Sequence, residues 1–312
     1  MMKPWLKITL IVLAIILLIL FIGINFVSRG NAIDFVHVTK EERAQRVIDE
    51  IDLVQSPEEF DLPYEDLVEK NASGMNLVGW YIPSQNGAAV ILLHGYEEPR
   101  YLMLQEADML YRHGYGVLVA TVRAHDDSDG ELVYFGCGDR EMEDLETWYQ
   151  YLLTRSDVDP DRIGILGQST GGSQAIQYAT QNENIRAIMT HSAFSSIPDT
   201  VVTTVEWKTG MPGKLVAPFI LFWAKQELGC DLQTVSAKTW IQDISPRPVF
   251  ILHGGKEVEL PINAGELLFE AAGEPKEYWF CEDCTHHNFD TEVPEEFEQR
   301  MIAFFNTYLL DQ

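Results

Sequence analysis

Gly167-Gln168-Ser169-Thr170-Gly171 sets a serine between two glycines, one residue removed from each. A serine hydroxyl is a weak nucleophile until a base takes its proton and donors stabilise the oxyanion it creates. The G-x-S-x-G pattern meets the first need when a strand runs into it and a helix leaves it, because the sharp turn exposes the hydroxyl at the sheet edge. Arg162-Ile163-Gly164-Ile165-Leu166 reads as that strand, and Gly172-Ser173-Gln174-Ala175-Ile176 as the opening of that helix. A carboxylate and then a histidine are expected later in the chain, each on a loop after a strand. Val249–Leu252 is strand-like and leads to Glu257, with Glu259 as a rival for the same role. Lys276–Cys281 is the next strand and leads to Thr285-His286-His287-Asn288, where either histidine fits the place of the base. His37, His113, His125 and His191 read as ordinary polar or structural residues. Two backbone N–H groups are expected to face the oxyanion: that of Thr170, and that of Tyr96 after the apolar run ending in Leu92-Leu93-His94-Gly95.

These residues need a rigid frame, and the patterning supplies one. Ala88–Leu93, Gly116–Val122, Arg162–Leu166, Ala187–His191, Val249–Leu252 and Lys276–Cys281 are short apolar runs. Between most of them lie helical stretches at 101–113, 139–155, 171–181 and 262–272, and a closing helix follows at 295–310. Strands without polar alternation, spaced by helices, predict an α/β fold with a mostly parallel sheet covered on both faces. Tyr64–Lys70 and Leu77–Ile82 flank the turn cluster Asn71-Ala72-Ser73-Gly74 and predict a leading hairpin. Asn71-Ala72-Ser73 also matches a glycosylation sequon. Residues 197–245 break the alternation and are expected to form a small helical cap. Its apolar stretch Leu215–Trp223 suits a pocket lining and core packing equally.

The beginning of the chain has a different character. From Ile8 to Val27 only Thr9 and Asn25 are clearly polar. A helix of this length covers about 30 Å, the thickness of a bilayer core. Lys3 and Lys7 precede it, which places the catalytic part outside the cytoplasm by the positive-inside rule. The apolar core is too long for a cleaved signal peptide, so an uncleaved anchor is expected. The organisation read from these patterns is an anchor over 1–30, a stalk over 31–62 and a catalytic domain over 63–312. Thr39-Lys40-Glu41-Glu42 is a capping box that opens a polar stalk helix to about Val54.

Acidic residues outnumber basic ones 48 to 22, a formal charge of −26, which disfavours nucleic acid as a partner. The expected partner is a small ester or amide, with the membrane held through the first helix. No cofactor is implied. Cys281-x-x-Cys284 lacks the second pair that a structural zinc site needs, so no metal is expected and a local bridge or free thiols are the simpler reading.

Together these features resemble the α/β-hydrolase superfamily, and within it the serine-aminopeptidase-like and lipase/esterase-like branch, from about Tyr64 to the C-terminus. The resemblance runs through Gly79-Trp80-Tyr81, His94-Gly95, Arg123-Ala124-His125-Asp126-Asp127-Ser128-Asp129-Gly130, Phe135-Gly136, Glu141 and Asp144-Leu145. Asp126 stands where the family carries glycine. The acid loop His253-Gly254-Gly255-Lys256-Glu257-Val258-Glu259-Leu260-Pro261 aligns Glu257, rather than Glu259, with the family's aspartate. Matching Phe289 to the family's terminal loop selects His286 as base, whereas the asparagine after the second histidine selects His287; His286 is taken. The resemblance implies a Ser169–His286–Glu257 triad that cleaves a carboxylic ester through an acyl-enzyme. A peptidase or amidase with the same triad is the alternative, and a binding protein on the same scaffold a third.

Overall fold

The computed structural model describes residues 3–36, 38–39, 56–130, 132–133 and 139–311. The capping box beyond Thr39, the stalk helix to Val54, His37, Phe135-Gly136 and Cys137 lie outside the described residues. The chain opens with helix α1 (Pro4–Val36), whose apolar part continues without a break into polar residues. Strand β1 (Val38–Thr39) follows and later pairs antiparallel with β6 (Leu132–Val133).

Eight strands form the main sheet. In chain order they are β2 (Glu65–Lys70), β3 (Asn76–Ile82), β4 (Ala89–Leu93), β5 (Gly116–Ala120), β7 (Ile163–Gln168), β8 (Ala187–His191), β9 (Val249–Gly254) and β10 (Lys276–Cys281). Their spatial order is β10-β9-β8-β7-β4-β5-β3-β2. β2 and β3 form the antiparallel hairpin, β3 runs antiparallel to β5, and every other neighbour pair is parallel. From β4 the chain steps one way to β5, then passes back over β4 to β7. A reversal of this kind opens a crevice at the carboxyl ends of the two central strands.

The helices are α2 (Leu104–Arg112), α3 (Asp139–Leu153), α4 (Thr170–Gln181), α5 (Ile197–Thr209), α6 (Gly213–Leu228), α7 (Ala237–Trp240), α8 (Ala264–Ala271), α9 (Phe289–Glu292) and α10 (Pro294–Phe305). Side chains alternate across each strand, and both faces are covered. Along β4, Ala89, Ile91 and Leu93 enter one core with Trp148 of α3 and Ile176 of α4. Val90 and Leu92 enter the other with Leu110 of α2 and Phe305 of α10. All of these are shut off from water, as the absence of polar alternation requires.

Helices α5 and α6 stand between β8 and β9 as a hairpin. Ser196 caps α5 by accepting the Asp199 N–H, and Gly210 ends it in the left-handed conformation. A third core lies here. It joins Phe194, Ile197, Val216, Ile220 and Leu260 to Ala32 of α1, with Tyr96 packed against it. The stretch Leu215–Trp223 therefore divides its faces: Val216 and Ile220 pack inward, and Phe219 and Trp223 meet α1.

A polar cluster ties the leading hairpin to α3. Asp144 is fully buried and accepts the Arg123 N–H at 2.9 Å, two guanidinium N–H bonds at 2.8 and 2.9 Å, and the Asn71 amide at 2.8 Å. Asn71 in turn accepts the Met75 N–H and closes the β2–β3 turn. The sequon nitrogen is thus committed to an interior bond. Asp126 adopts a φ of 49°, which accounts for glycine being usual there; aspartate tolerates that region better than most residues, and its carboxylate takes the Arg100 N–H. Replacing Asp144 with alanine leaves the Arg123 guanidinium buried without its main partner. The expected cost is about 3–5 kcal/mol of unfolding free energy, read by urea denaturation of the detergent-solubilised chain; a loss below about 1 kcal/mol would refute it.

Candidate active site

Ser169 occupies the turn between β7 and α4 with φ 53° and ψ −117°, a conformation that costs a non-glycine residue energy and is held by its surroundings. Its N–H donates to the His191 carbonyl, and its carbonyl accepts the Ser173 N–H. The flanking glycines are required by contact. A Cβ on Gly167 would lie 2.2 Å from the Gly171 carbonyl oxygen, and one on Gly171 would lie 2.5 Å from the carbonyl oxygens of Leu93 and His94. Strand, turn, helix and the end of β4 thus close on one another, with the hydroxyl at the crevice.

The structure brings three of the residues singled out above into one line. The Ser169 hydroxyl donates to His286 Nε2 at 2.8 Å, and His286 Nδ1 bonds the Glu257 carboxylate at 2.5 Å. His286 and Glu257 are buried. The other oxygen of Glu257 accepts the N–H groups of Glu259 and Leu260 at 2.7 and 3.2 Å. Burial pushes the Glu257 carboxyl up, but these bonds and the neighbouring imidazole outweigh it and hold the group below the ordinary carboxylate value. Glu257 is therefore a carboxylate at neutral pH, locked in orientation at both oxygens.

Adjacent residues on a loop point apart, and the two histidines divide accordingly. Their rings lie 4.3 Å apart and nearly perpendicular. His287 turns away from Ser169 toward the Gln168 amide, Glu98 at 3.3 Å and Glu259 at 3.7 Å. Partial desolvation lowers its pKa, yet the Glu259 bond and the charges of Glu98, Glu259 and Glu257 raise it to about 9. With its pKa raised to about 9, His287 carries a proton at neutral pH. Glu259 is held below its ordinary value, the His287 bond being the largest cause.

Donor atoms of Glu259, His286 and His287 lie within 4.8 Å of one another, the spacing of a metal cluster. Both nitrogens of His286 are already engaged with Ser169 and Glu257, so this group lacks a third donor for a cation.

Tyr96 follows β4, and Thr170 begins α4. Both line one narrow cavity with His125 and Gln174. The Gly95 N–H is bound to Glu98 at 2.8 Å. Glu98 escaped the sequence reading. A carboxylate three residues beyond His94-Gly95 was the available signal, and its two tasks, binding Gly95 and facing His287, join residues far apart in the chain. His191 and His253 sit beneath the site, and burial drives both pKa values down, that of His191 to about 3. They are neutral core residues. Cys281 and Cys284 are bridged at the start of the His286 loop, and Cys230 is also disulfide-bonded.

The switch-point crevice, the serine turn after the fifth strand of the main sheet and the strand order define an α/β-hydrolase. Residues 84–240, half of the chain, match the family described as serine aminopeptidase, S33, and the chain belongs to it. Among relatives, the YfhR protein of Salmonella typhi is 28% identical over 255 residues, covering 76% of this chain and 79% of its own. The thiohydrolase aneE of Aspergillus aculeatus is 22% identical, over 72% of this chain and 86% of its own. The esterase Pf2001 of Pyrococcus furiosus superposes with a TM-score of 0.69 at 22% identity, covering 82% of this chain and 95% of its own.

A raised pKa means that the charged His287 cluster contributes its stability below the ordinary value of 6.5 and loses it as pH rises through about 9. Histidine NMR should show a His287 midpoint near 9 that Glu259→Gln moves toward 6.5. A midpoint at 6.5 in the unaltered protein would contradict this account.

Proposed function

We propose that the chain is a membrane-anchored serine hydrolase that cleaves carboxylic esters, with Ser169 as nucleophile, His286 as base and Glu257 as orienting carboxylate. The observation that carries this reading is the unbroken hydrogen-bonded line from Ser169 through His286 to Glu257. Ser169 Oγ attacks the ester carbonyl as its proton passes to His286 Nε2. Negative charge gathers on the carbonyl oxygen, where the N–H groups of Tyr96 and Thr170 receive it. The tetrahedral intermediate collapses, His286 protonates the leaving alkoxide, and an acyl-Ser169 ester remains. Water, deprotonated by His286, attacks that ester; the acid departs and Ser169 regains its proton. Glu257 keeps one imidazole tautomer and stabilises the imidazolium, without itself taking the proton.

An ester is favoured over a peptide by the charge around the site. An aminopeptidase must bind a free α-ammonium. Glu98 and Glu259, two carboxylates beside this site outside the triad, are both paired with His287. The names of aneE and Pf2001, a thiohydrolase and an esterase, point the same way; the family's description points to the alternative.

Helix α1 is long and apolar enough to cross a bilayer. We read it as a retained single-pass anchor with Lys3 and Lys7 on the cytoplasmic side. The disulfide-bonded Cys230, Cys281 and Cys284 support an oxidising compartment for the rest of the chain.

A fluorophosphonate probe should label the protein, and Ser169→Ala should abolish labelling. His286→Ala should lower kcat by about 10⁴-fold or more and Glu257→Gln by about 10³–10⁴-fold, while His287→Ala stays within about tenfold. Equal losses in the two histidine variants would overturn the assignment of the base. Ester and aminoacyl-arylamide panels run side by side decide the substrate class: a higher kcat/KM on arylamides would establish the peptidase instead.

A further inference from the structure

The cap hairpin meets α1 along a specific interface. Phe21 and Phe219 pack edge to face at 5.6 Å, the Trp223 indole N–H donates to Asn25 Oδ1 at 3.2 Å, and the Arg29 guanidinium lies 5.3 Å from the Trp223 ring. Ser28 and Ala32 are completely buried one turn apart on α1, small enough to admit a neighbouring helix closely. Partner numbers rise together along the two helices, so α1 and α6 run side by side in the same sense. The start of α6 therefore points back along α1 toward its apolar segment. At 1.5 Å per residue, Leu215 lies about 6 Å further in that direction than Phe219.

That end of the hairpin is apolar and uncovered. Leu215 is 65% exposed, and Trp207 and Phe222 are each 50% exposed. Leu215, Pro218 and Phe222 form one stripe on α6, beside the Phe219–Trp223 stripe that holds α1. The charge pattern is equally one-sided. From 207 to 226 the chain carries Lys208, Lys214 and Lys225 and no acidic residue, although acidic residues outnumber basic ones 48 to 22 overall. Exposed tryptophan and leucine with lysine as the only charge is the composition of an interfacial membrane element.

We propose that the tip of the α5–α6 hairpin is buried in the same leaflet from which α1 emerges, and that the site takes its ester from that leaflet, as the acyl ester of a lipid. The proposal rests on reading α1 as a membrane span and the Ser169 site as an ester hydrolase. The stems of Lys208 and Lys214 lie in the apolar layer, and their ammonium groups reach back toward phosphate. Continuity with α1 selects a lipid surface over a soluble partner. The cap core carries the contact inward: Ala32, Val216 and Ile220 share it with Leu260 of the acid loop, and Tyr96 of the loop after β4 packs against it.

The test uses the full chain in vesicles of phosphatidylcholine with minor phosphatidylglycerol. A bimane label is placed singly at Leu215→Cys, at Leu17→Cys in the span, and at Val68→Cys, an equally exposed apolar site on the edge strand. Nitroxide lipids should quench the Leu215 label at least about threefold more than the Val68 label, and iodide should quench it less. If Leu17 is lipid-quenched and Leu215 behaves like Val68, the hairpin stays in water and the proposal fails while the anchor stands. If Leu17 is also in water, the anchor reading fails and the proposal with it. If Leu215 is shielded from both quenchers, protein covers it, as in a second copy, and the lipid surface is refuted. In Leu215→Asp/Phe222→Asp, turnover of a vesicle-borne long-chain ester relative to a soluble short-chain ester should fall at least about tenfold. An unchanged ratio overturns the leaflet as the substrate's source, and a parent protein inactive on both esters overturns the esterase reading itself.

Discussion

The contact on which the rest of this structure depends is the near-touch of backbones at the Ser169 turn. Gly167, Gly171 and the carbonyls of Leu93 and His94 leave no room for a methyl group at either glycine. This closure fixes three things together. It holds Ser169 in a left-handed conformation, it brings the end of β4 against the start of α4, and it places Tyr96 and Thr170 on one cavity. The strained residue is over-determined by the parallel pairing of β7 with β4 and β8 on either side. Two cores anchor those strands from both faces, so the strain is balanced by burial far larger than itself.

Electrostatics then separates two chemically identical side chains. His286 and His287 are neighbours in sequence and nearly touch, but each meets a different set of carboxylates. His286 faces Glu257, whose free oxygen is tied to backbone N–H groups. His287 faces Glu98 and Glu259, which keep it protonated. An acidic protein thereby sets a cation against two surplus carboxylates beside Ser169. Without it, Glu98 and Glu259 would add negative charge where the proposed mechanism forms an oxyanion.

Much of this frame was legible in the amino-acid pattern, because its strands are continuous apolar runs and its punctuation is strong. β4, β5, β7, β8, β9 and β10 each sit on such a run, and Glu257 and Glu259 both follow β9 on the loop where a carboxylate is expected. The choice between His286 and His287 was not legible from spacing, since both lie the same short distance past β10. Which of them faces Ser169 follows from the loop's conformation, held by the Cys281–Cys284 bridge and by Asn288 accepting the Thr285 N–H. Glu98 was invisible for a related reason: its partners, Gly95 and His287, meet only in the folded crevice. A stalk is expected from residue 31, and α1 continues as one helix to Val36, with Ala32 packed in the cap core. Hydropathy marks where an apolar run ends but is blind to a helix continuing against a tertiary partner.

That continuation changes what the first helix can do. A flexible stalk would leave the crevice free to face any direction relative to a membrane. A helix that docks on the cap through Phe21, Asn25, Ser28 and Ala32 removes that freedom, because rotation about the tether would break the aromatic contact and the Trp223 hydrogen bond together. The cap is in turn packed on Leu260, whose N–H holds Glu257, so the surface that meets α1 and the Glu257 carboxylate belong to one contiguous body. The stretch from 207 to 226 at the cap carries lysine as its only charge, against the acidity of the chain as a whole. If α1 spans a bilayer as proposed, an acidic body repelled by anionic headgroups and a basic, apolar tip attracted to them would produce a torque with the same sense as the α1 contact. Packing and charge would then orient the molecule independently, both turning the cap toward the surface from which the helix rises.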